Sequence, residues 1–445
     1  VSAPLWAGFT ALVNQALAPN KAVGKLNPTL YDIGKSKLDY VVSFNDINDG
    51  SKNTSGSASF TAGTGFDLAT GWGSPRCGLI GELVSRSPAN IQAVSAGHLT
   101  TCALRQGGAV SCWGLNHVGQ LGNGTTSNSS IPVPATGITN ATSVASSNFM
   151  PCALIQDGTV QCWGFNGDGQ LGTGTTAPQS STPVTIAGLT NVTALATGGL
   201  HGCAIIQDGT VQCWGNNANG QLGGGTTAAQ SAVPVTVPGL SGVTAIIAMN
   251  IHSCALLSDA DRTVKCWGNN DAGQLGDGST TNSATPVSVS GLSNVSAIAG
   301  GEHHTCALRS DGTVRCWGFN GAGELGDGQI YQAAVTPVTV SGLTDAIAIS
   351  AGGDHTCAIR TDNTVWCWGG NEAGEIGAGT IGDVVTIPTA VVNLGTAKAI
   401  SLGTYHSCAI TPNGNLACWG LDNNGQLGDG GDEHERSVPG TVSFW

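Results

Sequence analysis

Apolar residues recur along most of this chain in short runs divided by Gly, Asn, Asp and Ser, and the grouping of the runs repeats. Between residues 297 and 340 the runs are Ala297–Ala299, Cys306–Leu308, Val314–Trp317 and Pro337–Val340. Runs this short, bounded by turn residues, predict strands. The cysteine that opens the second run returns at positions 102, 152, 203, 254, 306, 357 and 408, so the period stays between 50 and 52 residues. A constant period near 50 with four short strands per unit predicts a mainly β chain folded as a seven-bladed propeller of repeats of about 51 residues.

The spacing of the cysteines tests the hairpin at the heart of each repeat. In six repeats the partners are ten apart, so in Cys306 to Cys316 the facing residues centre on Asp311. An odd centre demands a three-residue loop, whose last position is left-handed and favours Gly or Asn. That position holds Gly108, Gly158, Gly209, Gly312, Asn363 and Gly414. In the fourth repeat Cys254 and Cys266 are twelve apart, and the two added residues keep the loop odd.

Opposed residues at a non-hydrogen-bonded site of an antiparallel pair are close enough for a disulfide. Seven intra-hairpin bridges are therefore expected: Cys102–Cys112, Cys152–Cys162, Cys203–Cys213, Cys254–Cys266, Cys306–Cys316, Cys357–Cys367 and Cys408–Cys418. Zinc is the competing reading, but zinc ligands usually come in Cys-x2-4-Cys pairs, and no Cys-x-x-Cys occurs here. Each bridge closes a small loop and contributes about 2–3 kcal/mol in the chain-entropy model. Disulfides at this density imply an oxidising, extracellular compartment. Cys77, the fifteenth cysteine, either pairs with a cysteine upstream of Val1 or is a free thiol.

Composition narrows the partners. Charged residues are 10% of the 445, Gly numbers 68, and the net charge is −13. No cluster of Lys and Arg offers the footprint that a nucleic acid requires. No apolar run reaches the 18 residues of a membrane span. Neither an initiator Met nor a signal peptide stands at Val1, which reads as an internal position of a longer natural protein.

The repeat consensus is Ala-Gly-x-x-His-Thr-Cys-Ala-Leu, then Asp-Gly-Thr-Val-x-Cys-Trp-Gly-x-Asn-x-x-Gly-Gln-Leu-Gly-Asp-Gly. Over residues 91–445 it resembles the regulator of chromosome condensation repeat, whose members form seven-bladed propellers. The paired cysteines depart from the nuclear exchange factor of that family and suggest a secreted, bacterial branch, and they oppose guanine-nucleotide exchange on a small GTPase. The last repeat stops at Val438–Trp445 without the strand that follows elsewhere, and Ile91–Ala96 is expected to supply it, closing the ring with a strand from the other end.

Residues 1–86 carry no repeat. Pro4–Leu17 predicts a helix, with Pro in its first turn and Leu5, Phe9, Leu12 and Val13 at helical spacing. With Leu26–Tyr31, Phe44–Ile47 and Ala62–Pro75 it resembles the C-terminal end of a sedolisin, the serine-carboxyl peptidase family. The resemblance implies a partial α/β, subtilisin-like peptidase domain over 1–86, joined by a linker at 87–90 to the propeller at 91–445. The family nucleophile stands four residues before the helix-opening Pro, one position ahead of Val1, so no catalytic residue is assigned within the chain; Ser2 is no substitute. The resemblance further implies calcium held by the carboxylates of Asp46 and Asp67 and the carbonyls of Ile47, Gly63 and Gly65, oxygen ligands that suit a hard cation. The bland reading is a Gly-rich loop with two solvated carboxylates.

Two repeated residues invite a functional reading. His201, His252, His304, His355 and His406 stand two before the first cysteine, with Thr100 and Met150 in the first two repeats. A ring of metal ligands is set against a structural role, a bond from each His to the neighbouring blade's backbone, and the repetition favours the latter. The Trp after each second cysteine reads as a wedge between blades rather than a ligand platform. The polar segments after Gln-Leu-Gly, such as Thr125–Ile131 and Thr176–Thr182, vary on a constant scaffold and are the expected binding surface. The leading expectation is thus the C-terminal portion of a secreted serine-carboxyl endopeptidase whose propeller docks a protein or cell-surface ligand beside an upstream peptidase segment. The alternative is a secreted, non-catalytic binding or inhibitory propeller.

Overall fold

The structure is a computed structural model that describes residues 90–431 and 435–444, preceded by the backbone of four short strands. Among these, Phe44–Asn45 pairs with Ser74–Pro75, and Lys52–Ser55 pairs with Ala58–Thr61. The expected helix Pro4–Leu17, Cys77 and the calcium residues Asp46, Ile47, Gly63, Gly65 and Asp67 lie outside the described residues.

Asn90–Ser443 form one compact unit in which every regular element is a strand. Seven antiparallel sheets of four strands follow one another in chain order. Blade 1 consists of Ile91–Ala96, Thr100–Arg105, Val110–Gly114 and Ser129–Pro134. Blades 2 to 6 occupy 141–185, 192–236, 243–288, 295–339 and 346–390. Blade 7 consists of Ala399–Leu402, His406–Ile410, Leu416–Gly420 and Arg436–Thr441. The first strand of each blade packs against the first strands of both neighbours, so it is the innermost.

The hairpin joining the second and third strands has the register its loop demands. Cys306 opposes Cys316, and Arg309 and Thr313 close a three-residue turn in which Gly312 has φ 79°. All six predicted positions are left-handed, Asn363 included at φ 64°. In the longer fourth hairpin Arg262 takes that role at φ 47°. All seven cysteine pairs are bonded, with Cα atoms 4.0–4.1 Å apart and no exposure to solvent.

Each bridge lies in the seam between blades. Cys102 and Cys112 share one apolar cluster with Leu104, Val110 and Leu121 of their own blade and with Ala153 and Trp163 of the next. The indole of Trp163 donates to the Gln120 carbonyl at 2.9 Å, and the bond recurs around the ring from Trp214 to Gln170 through to Trp113 on Gln426. Gly122 of the Gln-Leu-Gly motif sits under that indole at φ 68°, where a Cβ would press on the ring. The Asn of the consensus folds the loop between third and fourth strands: Asn116 accepts from Leu121 N at 2.9 Å and donates to the Thr125 and Ser127 carbonyls.

Ring closure corrects one expectation. Ile91–Ala96 is the innermost strand of its own blade, paired with Thr101–Arg105, and blade 7 has all four strands from residues 399–441. The run that follows Pro337–Val340 belongs to the next blade, so the last repeat lacks nothing. The seam from blade 7 to blade 1 carries the bonds of the others: Thr404 N to Gly97 O at 3.1 Å, Ile91 N to Gly414 O at 3.0 Å and Trp113 on Gln426 O.

Candidate binding face

Five buried histidines stand at the edge of the second strand. His304 Nε2 lies 2.9 Å from Thr356 Oγ1 of the next blade, whose hydroxyl donates to the Glu324 carbonyl at 3.1 Å. A hydroxyl that spends its proton on a carbonyl must accept from the imidazole, so the proton sits on Nε2 and Nδ1 is bare. The same relay joins His201 to Ser253, His252 to Thr305, His355 to Ser407 and His406 to Thr101. The partner is thus the neighbouring hydroxyl rather than the backbone, because the residue before the first cysteine is Ser or Thr in five blades, with Pro151 and Gly202 in the other two. Burial holds His201, His304, His355 and His406 at about 3 and drives His252 well down, so all are neutral near pH 7. Sealed in the seams, they form no open ring of metal ligands. The tryptophans are equally sealed, all seven without exposure.

What the seams hold constant, the adjoining loops vary. Between the turn that ends the first strand and the first residue of the second lie two residues per blade: His98-Leu99, Asn148-Phe149, Gly199-Leu200, Asn250-Ile251, Glu302-His303, Gly353-Asp354 and Thr404-Tyr405. They surround the axis on the face that also carries the loops between third and fourth strands, since Leu115 N bonds Leu99 O and Phe165 N bonds Phe149 O. Beneath them a cavity of about 100 Å³ is lined by glycines and small residues such as Gly97, Ser147, Gly198 and Gly352. Small residues are required there, because a Cβ on Gly403 would collide with the Gly97 carbonyl.

The face has two chemistries. On blades 7, 1 and 2 it is aromatic: His98 lies 5.3 Å from Tyr405 edge-on and 6.4 Å from Phe149, which meets His117 at 5.8 Å and Phe165 at 6.4 Å. On blades 5 to 7 it is acidic. Glu302 reaches over the axis past Gly353, accepting from Thr404 Oγ1 at 2.9 Å and lying 3.9 Å from His98 Nδ1. Burial, and then the Glu302 carboxylate, raise the pKa of Asp354. Burial raises Glu324 and Glu375 to about 7. Among the described residues no group of three His, Cys, Asp or Glu side chains is placed to hold a metal ion.

The expected binding segments Thr125–Ile131 and Thr176–Thr182 run from the loops into outermost strands that start at Ser129 and Gln179. They flank the face but do not form its centre. The central residues were hidden as the two unspecified positions of Ala-Gly-x-x-His-Thr-Cys. Their signal is that no two repeats share the same pair, while the flanking positions are Gly in five repeats and His in five.

The chain is thus a closed seven-bladed propeller with sealed seams and a variable face. The RCC1-like domain profile matches residues 68–398, the regulator of chromosome condensation (RCC1) repeat matches 397–426, and the chain belongs to the RCC1-like family. It is 31% identical to the ultraviolet-B receptor UVR8 of Arabidopsis thaliana over 368 residues, 80% of this chain and 82% of that protein. Protein pim1 of Schizosaccharomyces pombe is 29% identical over 46% of this chain and 41% of its own. Among solved structures, Prp20p of Saccharomyces cerevisiae, described with its binding to Gsp1p and histones, superposes with a TM-score of 0.62 at 24% identity, covering 71% of this chain and 80% of that one.

These relatives overturn the leading expectation. One is a receptor and another is described with its binding to Gsp1p and histones, and nothing in them supports a secreted serine-carboxyl endopeptidase or an upstream peptidase segment. The profile match begins at Leu68, inside the segment Ala62–Pro75 that carried the peptidase resemblance, and Trp72-Gly73 there is the dipeptide that closes the third strand of every blade. The comparisons show no peptidase domain over residues 1–86, and short motifs of Gly, Asp and Trp serve tight turns in many folds.

Proposed function

We propose that the chain is a non-catalytic protein-binding propeller that docks its partner on the face of loops around Glu302, Asp354, Tyr405, His98 and Phe149. The observation that carries this reading is the contrast within each repeat: a largely repeated, sealed seam beside a pair of residues that no two blades share. Loops that vary on a rigid scaffold are where recognition is built. Partner binding by the relative Prp20p supports a role of the same kind. Seven buried disulfides favour work outside a reducing cytosol, in a secreted setting.

The test is to recover a partner from the natural surroundings by photo-crosslinking at Phe149 and to measure its affinity by calorimetry. Phe149→Ala with Tyr405→Ala should weaken it at least tenfold, while Asp261→Asn, at a hairpin tip, leaves it unchanged. Equal affinity in all three proteins would place recognition elsewhere.

A further inference from the structure

The cavity of about 100 Å³ on the axis is a well built of stacked rings. Six blades give it three successive residues each and blade 1 gives two, so that blade 5, for example, places Glu302 in the mouth, Gly301 in the middle and Gly300 in the base. Glycine and alanine fill most places, and against them two hydroxyls stand out. Ser146 and Thr197 sit on adjacent blades in the base, where blades 1, 4 and 6 have Ala96, Ala248 and Ala351. Ser146 is only 8% exposed, and its Oγ and Thr197 Oγ1 are buried with no hydrogen-bond partner among the described residues. A buried hydroxyl left unpaired costs about 1–3 kcal/mol, and alanine would avoid that cost. The two hydroxyls are therefore explained by a group that enters the well.

We propose that the well receives a primary ammonium on a slender, unbranched stem, a lysine side chain that the partner inserts along the axis, with Glu302 as its counter-ion at the mouth and the Ser146 and Thr197 hydroxyls as acceptors at the base. The inference rests on the docking face proposed above and names the anchor of its partner. Glu302 is the one charged residue lining the well among the described residues, where blades 2 and 4 have the neutral Asn148 and Asn250. Its Oε1 accepts from Thr404 Oγ1 of blade 7 at 2.9 Å, which holds the carboxylate across Gly353 of blade 6, and its Oε2 has no hydrogen bond among the described residues.

The donor count and the shape agree. An ammonium has three donors and no acceptor, and a carboxylate with two hydroxyls offers it three acceptors. Taking its charge out of water requires an opposite charge, which Glu302 supplies. Met249 and Leu402, both buried in the wall, give apolar surface to the methylenes of the stem. A Cβ on Gly198 would collide with the Met249 carbonyl and one on Gly301 with the Gly352 carbonyl, so the blades meet this closely only with glycine there and the bore stays narrow. The net charge of −13 draws a cationic segment toward the face from a distance.

The chain has two methionines, of which Met249 lines the well and Met150 is buried in a seam. Methyl-labelled methionine therefore gives an NMR reporter and an internal reference. Titration with n-butylammonium chloride should shift Met249 saturably and leave Met150 in place; n-butanol, without the charge, and tert-butylammonium, without the slender stem, should shift neither. Glu302→Asn installs the residue type of Asn148 and Asn250, so the fold tolerates it, and should weaken n-butylammonium about tenfold or more. Ser146→Ala, the residue type of three other blades, should weaken it about threefold, and Asp261→Asn not at all. No shift of Met249, an equal shift with n-butanol, tert-butylammonium or potassium chloride, or unchanged affinity in Glu302→Asn would each overturn the proposal. The partner recovered at Phe149 should lose affinity for Glu302→Asn and be competed by n-butylammonium; one that tolerates both but not Phe149→Ala would overturn the lysine and leave the docking face standing.

Discussion

The seam between blades 5 and 6 and the face above it are built from residues adjacent in sequence, yet they obey opposite rules. In the seam, Cys306–Cys316, Trp368 and the His304–Thr356 relay are sealed from water, and each has its counterpart in most other seams. On the face, Glu302, His303, Asp354 and Phe319 have no equivalent in chemistry one blade away. Repetition therefore marks what holds the ring together, and its failure marks what the ring is for. The histidines would be misread by residue type alone, since an imidazole invites a functional reading and these five serve packing.

Changes that divide seam from face break this comparison if their effects run the wrong way. The largest is expected for Trp317→Ala, which removes a fully buried indole and its bond to the Gln274 carbonyl; a loss of about 3–5 kcal/mol should appear in urea unfolding. Replacing Cys306 and Cys316 together by Ala should cost about 2–3 kcal/mol and leave the fold intact. A loss near zero for either would mean that the seams do not carry the stability.

Titration sharpens the contrast because the two kinds of buried group have opposite signs. The histidines have folded pKa values near 3, below the unfolded 6.5, so their contribution is present above about pH 6.5 and is lost as pH falls toward 3. Glu324 is raised to about 7 from 4.5, so its contribution is present below 4.5 and is lost as pH rises through 7. Glu324→Gln should accordingly be the more stable protein at pH 8, on the order of 2 kcal/mol, with the difference vanishing toward pH 4. His304→Met, the residue type of Met150 in blade 2, should cost about 1 kcal/mol at pH 7 and flatten the acid limb of the stability curve. The smallest effect belongs to the face: Tyr405→Ala should shift stability by no more than about 0.5 kcal/mol.

Most of the scaffold was legible because it is governed by local rules. An odd hairpin centre dictates a left-handed residue, and Gly312 and Asn363 supply it; an apolar Trp at a fixed place in every repeat can only be a wedge. The phase of the blades was not legible, because a strand such as Ile91–Ala96 looks the same whether it pairs forward or back, and sheet membership is decided by contacts across the ring. The histidine partners were missed because the hydroxyl before the first cysteine of five repeats gains meaning only when the next blade is alongside. The face was missed because recognition there uses positions that a consensus discards.

The bonds across the seam from blade 7 to blade 1 are those of the other six, and this has an evolutionary reading. Covalent continuity plays no part in closing the ring, so the break in the chain is free to migrate. A gene permuted to open in the loop between Ile186 and Asn191 should encode the same circle of blades. No single blade is the keystone, so a whole repeat is the natural unit for a gene to add, lose or reorder.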